Sequence, residues 1–494
     1  MDNAYSPYSK TATSRKFTAS YWKDINAMVT SAFEKSGETS AKLYYDTSIA
    51  HMAINALTDY VIGPGLVPTA NPERSIVGWS NEQRKKFSEQ AEAYWRLTTN
   101  SLDFDHYGKN SFRALQKIAF KNILIKGDVL LHTYYRDEKN SYMPCVQILS
   151  GQWVTNPNQS MDTKEVTAGV RLNKEELEIG YYIAKTDEER LDSFECTYVS
   201  KYNKAGQKEF DLIKLGATEA NQIRGIPILS AVRDDILHLE VAKTNYITKF
   251  IVEAILTAVV TTDKDQTVSS SRTLDTLKSL GGQSKDASRT PTDVNLSAGN
   301  VVVLQPGEDM KTIQSSQSSQ DYSQLEKTVL SCIGGAIGVP YEMLLKQYGS
   351  SYSASKATIS SASKTFDDLR REFAEKFCNV VYKMVIDYGI RAGNIDAPGY
   401  LEGNDLYQRA VLSVNWIGPT PVIMEPIKEA NAQKVMIENN FTTMEKACRD
   451  LTGLDYEEII ERRVQEIELF NQMMAKVIPL NDQSDNNQED SKNE

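Results

Sequence analysis

Two long helical patterns on either side of a polar insert constrain this chain more than any other feature of its sequence. The first begins after Arg224-Gly-Ile-Pro227 and the second ends at Gly338-Val-Pro340, where Pro and Gly interrupt a helix. Residues 263–298 between them are rich in Ser, Thr, Asp and Lys. Both patterns place apolar residues three or four positions apart, as on the buried face of a helix. The arrangement predicts a structural part with large buried helix faces.

The apolar residues of the two patterns form one stripe on each helix. In the first they are Leu229, Val232, Ile236, Leu239, Ala242, Tyr246, Phe250 and Ala254, and in the second Tyr322, Leu325, Val329, Ile333 and Ala336. Stripes of this length are too long to be covered inside one narrow hairpin. We therefore expect neighbouring subunits to cover part of them.

The length and composition fit a folded protein with several packed regions. At 494 residues the chain is too long for one simple core, so we expect roughly two to four packed regions. No run of about 18 uncharged apolar residues is present, and no membrane span is predicted. The five cysteines are far apart and odd in number, which indicates reduced thiols rather than disulfides or a zinc site.

The charge balance argues against tight binding of nucleic acid. The chain has 55 basic and 66 acidic residues, a net charge of −11. Proteins that grip DNA usually carry a basic balance, so any contact with DNA is expected to be weak and sliding. The same acidic excess is also typical of an ordinary soluble protein, where it only raises solubility.

The periodicity predicts an α+β fold that is predominantly α-helical. Helices are expected over residues 16–62, 80–97, 111–126, 357–392 and in the C-terminal region after Pro426. Between Val129 and Leu212, short β-prone runs alternate with Asn, Gly and Asp turns, which predicts a small β region. The tail from Asn481 has no apolar residue, so we expect it to be disordered.

The sequence contains no motif that carries catalysis. It has no GxxxxGK[ST] phosphate loop, no HExxH and no CxxC pair, and its four histidines are isolated from one another. Gly334-Gly335 follows no strand, so close helix packing explains it better than a nucleotide loop. We therefore predict a protein that is not an enzyme and that has no cofactor and no metal site.

Several short motifs, taken in order, resemble a known family. They are Ile62-Gly-Pro-Gly65, Gly127-Asp128, Arg224-Gly-Ile-Pro227, Cys332-Ile-Gly-Gly-Ala-Ile-Gly-Val-Pro-Tyr-Glu342, Tyr348-Gly-Ser-Ser-Tyr-Ser-Ala-Ser-Lys-Ala357, Trp416-Ile-Gly-Pro419 and Glu425-Pro-Ile-Lys-Glu429. Each alone is weak, but the ordered set is similar to the lambda-type portal proteins of tailed bacteriophages, over roughly residues 40–470. Lys356 stands where the family often has Arg, and Glu425 where it often has Asp; both departures preserve charge.

The resemblance implies a ring, usually a dodecamer, at one vertex of a capsid. Double-stranded DNA would enter and leave through its central channel. The implied partners are further copies of the chain, the terminase large subunit, the major capsid protein and a head-completion or adaptor protein. The implied location is the virion, with assembly in the host cytoplasm. The packaging ATPase would be a separate protein, consistent with the missing phosphate loop.

The resemblance also implies a division of the chain and a set of functional residues. The parts are a flexible N-terminal segment (1–20), a wing (21–223), a stem helix (224–254), a clip (255–315), a second stem helix (316–338), a tunnel loop (339–356), a wing helix with a return strand (357–424), a helical crown (425–480) and a disordered acidic tail (481–494). The implied DNA-channel loop comprises Lys346, Tyr348, Ser350, Ser351, Tyr352, Ser353 and Lys356. The implied stem interface between subunits comprises Leu229, Val232, Ile236, Leu239, Tyr246, Phe250, Leu325 and Val329.

Two other readings of the sequence remain open. A head–tail adaptor or capsid scaffold component would have a structural role without a DNA channel, although adaptors are usually shorter and lack paired long helices. A soluble hydrolase is disfavoured because no residue set supplies a nucleophile with its base. An electron micrograph would separate a ring with a central hole from a disc or from no assembly.

Overall fold

Helices dominate the molecule and small antiparallel sheets lie among them. The computed structural model describes residues 25–138, 141–184, 196–255, 259–262, 308–311, 319–348, 352–419, 425–452 and 456–477. Its helices are α1 (Ile25–Asp46), α2 (Ser48–Val61), α3 (Arg74–Val77), α4 (Asn81–Asn100), α5 (Phe112–Lys126), α6 (Arg233–Ile255), α7 (Ser319–Ile337), α8 (Tyr341–Leu345), α9 (Tyr352–Phe373), α10 (Asn379–Arg391), α11 (Asp405–Val411), α12 (Pro426–Glu438), α13 (Met444–Thr452) and α14 (Tyr456–Val477). A π-helical turn, Ala374–Cys378, joins α9 to α10.

The strands within the described ranges form four sheets, each of them antiparallel. They are β1 (Val67–Ala70), β2 (Asp128–Glu138), β3 (Ser141–Ser150), β4 (Val166–Thr167), β5 (Val170–Leu172), β6 (Glu178–Ala184), β7 (Cys196–Ser200), β8 (Phe210–Lys214), β9 (Val259–Thr262), β10 (Glu308–Lys311) and β11 (Val414–Ile417). The orders are β3-β2-β8, β4-β5-β6-β7, β1-β11 and β10-β9. The first two sheets confirm the predicted β region.

The main hydrophobic core lies between α2, α4, α5 and the α9–α10 helix. Its fully buried rings include Phe120, Phe373 and Phe377, and Phe120 meets Phe373 edge to face at 5.4 Å. The beginning of α6 and the end of α7 join the same core. A second, smaller core around Leu130 and Tyr181 fills the space between the two larger sheets. We call α6 and α7 together the hairpin. Its base, where α6 begins and α7 ends, is therefore part of the main core.

Local sequence signals account for several helix boundaries. The Ser80 hydroxyl oxygen accepts a hydrogen bond from Gln83 N, and Gln83 Oε1 accepts one from Ser80 N, which is the predicted capping box. The long helix expected over 16–62 is interrupted at Thr47, whose hydroxyl oxygen caps α2 by accepting from Ala50 N. A helix expected to begin at residue 357 begins instead at Tyr352.

Candidate channel loop and stem hairpin

A buried ion pair fixes the point where the chain enters the hairpin. Arg224 and Asp128 are both 0% exposed, and Arg224 Nε lies 2.8 Å from Asp128 Oδ2. The guanidinium donates a second bond to Asp128 Oδ1 and three more to the carbonyls of Gly151, Val154 and Ala168. Every side-chain donor of Arg224 is used in this way. The position just before α6 is thus tied to both sheets.

The glycines next to this ion pair bring two distant segments into backbone contact. A Cβ on Gly225 would overlap the carbonyl oxygen of Gly127, and a Cβ on Gly127 would lie 2.6 Å from Gly225 O. Gly127 also has a φ of 97°, which a residue with a side chain rarely adopts. Phe33 of α1 covers the guanidinium at 3.6 Å. We call Gly127, Asp128, Arg224 and Gly225 the joint.

A second contact brings together two more of the sequence motifs. Arg370 of α9 donates to the carbonyls of Tyr60 and Val61, which lie at the C-terminal end of α2, where acceptors are otherwise unpaired. Gly418 packs directly on the Arg370 side chain, and Pro419 lies 2.6 Å from the position of a Cβ on Gly63. The Ile62-Gly-Pro-Gly65 and Trp416-Ile-Gly-Pro419 motifs therefore meet on α9.

The predicted channel loop is shorter in the structure than in the sequence analysis. Tyr352 and Ser353 lie in the first turn of α9, and Lys356 lies in its second, so their assignment to a loop is corrected. Ala354, Lys356 and Ala357 have favourable helix propensity, which explains the early start. Ser350 and Ser351 lie outside the described residues. What the structure describes of the connection from α8 is Lys346, Gln347 and Tyr348.

The N-terminal side of this connection is anchored to the body. Lys346 is exposed and adopts a left-handed φ of 54°, which ends α8. Tyr348 is 39% exposed and its hydroxyl bonds to that of Tyr60 in α2. Burial raises the pKa of Tyr60, and the hydrogen bond with Tyr348 raises it further, so this hydroxyl stays protonated at neutral pH. Phe366 stacks on Tyr60 at 5.3 Å and holds it in place.

On the other side, Lys356 makes an ion pair with the C-terminal helices. Its Nζ lies 3.4 Å from Glu429 Oε1 in α12, and the two side chains are 53% and 22% exposed. Lys356, which follows the connection, is therefore paired with an acidic side chain of α12. The sequence analysis placed this lysine in the channel loop, and nothing in the sequence indicates that α12 supplies its acidic partner.

The predicted stem interface divides into buried and exposed residues. Four of its members are 0 to 2% exposed inside the subunit's own core: Leu229, Val232, Ile236 and Leu239. Their burial corrects the prediction, because they leave no surface for a neighbouring subunit. Val329 is half-buried against the same core. Sequence periodicity found the buried face correctly but could not tell which surface covers it.

The remaining members lie farther along the hairpin. Tyr246 of α6 stacks on Tyr322 of α7, with ring centroids 4.4 Å apart. Phe250 is 65% exposed and Leu325 is 49% exposed. The hairpin thus changes along its length from a covered base to an open outer part. Its outer part is where apolar surface remains uncovered in a single chain.

Neither a cluster of metal ligands nor a membrane-spanning helix occurs in the described part of the chain. Within it, no group of three or more His, Cys, Asp or Glu side chains is placed to hold a metal ion. All five cysteines are free thiols, and complete burial raises the pKa of Cys378 well above its ordinary value. Across the same described ranges, no helix is both long and apolar enough to cross a membrane.

The joint, the hairpin and the anchored connection all lie in the part of the chain that matches a known family. Residues 15–370 match the lambda family of phage portal proteins, a span that includes the whole hairpin and the connection after it. The chain belongs to that family, which confirms the resemblance carried by the sequence motifs.

Two curated relatives and one solved structure are similar over most of the chain. Portal protein B of Escherichia phage lambda is 21% identical over 462 residues, covering 90% of this chain and 85% of the relative. The portal protein of Escherichia phage N15 is 22% identical over 442 residues, covering 86% and 82%. A chain from the neck of an empty gene transfer agent particle has 13% identity and a TM-score of 0.42, covering 86% of this chain and 93% of its own.

Proposed function

We propose that this portal protein forms a ring at one capsid vertex, and that double-stranded DNA passes through its central channel during packaging and ejection. Membership of the portal family carries the proposal, because residues 15–370 include both the hairpin and the connection that would face the channel. The dodecamer expected from the sequence belongs to this proposal, as do the wing, stem, clip, tunnel-loop and crown assignments.

The charge of the chain supports a channel that does not trap its cargo. Duplex DNA carries about one negative charge per 1.7 Å of axis. Each lysine or arginine that contacts its phosphates therefore strengthens binding in a salt-dependent way. The chain has a net charge of −11, which repeated around a ring gives a repulsive wall. Lys356 is paired with Glu429, which reduces the positive charge it would offer to passing phosphates. Lys346 is exposed at the other side of the connection.

The partners in this proposal follow from the same family. The clip, residues 255–315, would dock the terminase large subunit during packaging and a head-completion or adaptor protein afterwards. The wing would meet the major capsid protein. Assembly would take place in the host cytoplasm, and the finished ring would stay in the virion.

A substitution in the loop tests the channel directly. Ser351→Trp in every subunit should narrow the passage without touching the hairpin, so packaging should slow or stall while ring yield stays normal. The measurement is the DNA packaged per head alongside ring yield from electron microscopy. Ser75→Trp, at an exposed position in α3, is the matched control and should package normally. Equal packaging by the two variants would show that residue 351 does not line the channel.

A further inference from the structure

Helix α6 has a second apolar stripe, on a different side from the one that packs into the subunit. It consists of Leu237, Val241, Thr244, Thr248 and Ile251, which follow one another every three or four residues. Leu237, Val241 and Ile251 are 43%, 58% and 53% exposed. Together these side chains form a contiguous exposed apolar surface that a neighbouring chain could cover. We call these five residues the apolar seam.

The threonines of the seam present carbon rather than hydroxyl. Thr244 donates its hydroxyl to the carbonyl of Glu240 at 2.9 Å, and Thr248 donates to the carbonyl of Thr244 at 2.9 Å. Each hydroxyl is therefore satisfied on its own helix, one turn back. Their methyl groups continue the surface of Val241 and Ile251. Covering this stripe would leave no threonine donor unpaired.

The outward side of α7 has a different and complementary surface. Leu325, Thr328, Cys332 and Gly335 share one face, all four are exposed, and small residues predominate toward its C-terminal end. Thr328 and the adjacent Ser331 again donate their hydroxyls to their own helix, at 2.8 and 2.7 Å. We call Leu325, Thr328, Cys332 and Gly335 the small-residue stripe.

Gly335 shows that the subunit's own packing does not require this stripe to be small. A Cβ added to Gly335 would meet no atom within 4 Å among the described residues, whereas one on neighbouring Gly334 would overlap the Val339 carbonyl oxygen. Gly334 is explained by packing inside the subunit, and Gly335 is not. Close approach of another helix explains it, since small residues let helix backbones come together.

We propose that the apolar seam of α6 packs against the small-residue stripe of α7 in the next copy of this chain. The inference rests on the proposed ring and names the surfaces that build it. The two faces are different, so the contact is heterologous: each copy offers its seam to one neighbour and its stripe to the other. Heterologous contacts close into rings when the rotation between copies allows it.

The size of the seam favours a ring over a dimer. From Leu237 to Ile251 a helix spans about 20 Å and is about 10 Å wide, so one contact covers on the order of 200 Å². A stable two-chain interface usually covers about 800 Å² on each partner. One such contact is too small to hold a pair of chains. In a ring each copy uses both faces and other parts of the subunit add to them.

The hairpin itself indicates which residues of the two faces meet. The Tyr246–Tyr322 stack shows that these two residues lie at the same height along the hairpin. The base of the hairpin, where α6 begins and α7 ends, lies in the main core. Leu237 and Cys332 are each about 15 Å from that stack toward the base, at 1.5 Å per residue. Rotation about an axis parallel to the hairpin preserves height. Leu237 of one copy and Cys332 of the next should therefore be level.

A cysteine placed in the seam tests this contact. In assembled rings of Leu237→Cys, mild oxidation should link the new thiol to native Cys332 of the neighbour and give a ladder of covalent multimers on a denaturing gel. Val241→Cys, one turn farther along, reports the same contact if the helices tilt in the ring. The ladder should disappear when Cys332→Ser is added to either variant.

The controls separate this inference from the proposed function. Asp235→Cys is exposed on another side of α6 and should give no ladder. Dimers that survive Cys332→Ser would mean that seams pair with each other, and a surviving ladder would mean that another native cysteine is the partner. Either result overturns the contact between seam and stripe. Rings that form normally but cross-link from neither position also overturn it, and they leave the channel proposal standing. If the wild-type chain forms no rings, the proposed channel function itself is contradicted.

Discussion

The joint and the connection between α8 and α9 differ strongly in how deeply their side chains are buried and how many hydrogen bonds hold them. At the joint, Arg224 is 0% exposed and donates five hydrogen bonds. In the described part of the connection, Lys346 is exposed and Tyr348 is 39% exposed, and beyond it Lys356 pairs with Glu429 at 3.4 Å. Regions with few buried contacts open at low free energy, whereas fully packed regions open only with the whole fold.

Under the proposed function, this difference would suit the two regions to different tasks. A ring that lets DNA pass must keep the angle of its hairpins constant, and the joint supplies that because no donor on Arg224 is free to rearrange. A loop beside a moving duplex would have to yield, and the exposure of Lys346 and Tyr348 is compatible with that. Substitutions at the joint and beside the loop test this comparison. It predicts a large loss of unfolding free energy at the joint and a small loss beside the loop.

The largest effect is expected from Arg224→Met. Removing the guanidinium leaves Asp128 as an unpaired buried carboxylate and leaves three carbonyls without their donor. Breaking a buried pair in this way costs about 3 to 5 kcal/mol of unfolding free energy. Denaturant unfolding followed by circular dichroism measures it.

The neighbouring arginine provides the control for that experiment. Arg233 pairs with Asp234 at 3.0 Å at a position where both side chains are partly exposed, so Arg233→Met should cost less than about 1 kcal/mol. Adding Asp128→Leu to Arg224→Met should recover part of the loss, because the buried charge is then removed. Equal losses for the two arginine variants would contradict the special role of the joint.

The same two regions show what the sequence can and cannot predict. Gly127-Asp128 and Arg224-Gly225 were both recognised as motifs, yet nothing in a single sequence indicates that they contact each other across the fold. The helices, the capping box at Ser80 and the β region were predicted because local periodicity and capping chemistry determine them. The pairing of distant glycines depends on tertiary packing, which leaves no local pattern.

The faces of α6 illustrate a second limit. Leu229 to Leu239 formed the most regular apolar stripe, and it was assigned to the subunit interface although it lies in the core. The seam with Leu237 and Val241 was missed because two of its members are threonines, which read as polar. Periodicity identifies an apolar face but not the surface that covers it. The back-bonded hydroxyls that would have revealed the seam are visible only in the structure.

An intermediate effect is expected from His132 in β2, the strand that begins at the joint. Its ring stacks on Phe210 at 4.0 Å and on Tyr134 at 4.7 Å. Burial lowers the pKa of the His132 imidazole, although Gln147 and Glu209 act in the opposite direction. Its pKa in the folded state is thus below the unfolded value of about 6.5. Its stabilising contribution is complete above that pH and is lost as the pH falls below it.

Unfolding free energies measured at about pH 7.5 and 5.5 test this prediction, since the unfolded histidine titrates between them. The wild-type chain should be less stable at the lower pH, and His132→Gln should reduce that difference. His238→Gln, at an exposed position on α6, should keep it. An unchanged difference in His132→Gln would show that other groups cause the pH dependence.

The smallest effect is expected from Lys356→Ala, which removes the ion pair beside the loop. The Lys356 side chain is 53% exposed, and water and salt screen its attraction to Glu429. Pairs of this kind contribute about 0.2 to 1 kcal/mol, so the unfolding free energy should change by less than about 1 kcal/mol. Glu429→Ala should match it, and the double variant should lose little more than either single one, because both remove the same contact. A loss as large as that of Arg224→Met would mean that the C-terminal helices hold the loop region as firmly as the joint holds the hairpin, and the contrast between the two regions would then be wrong.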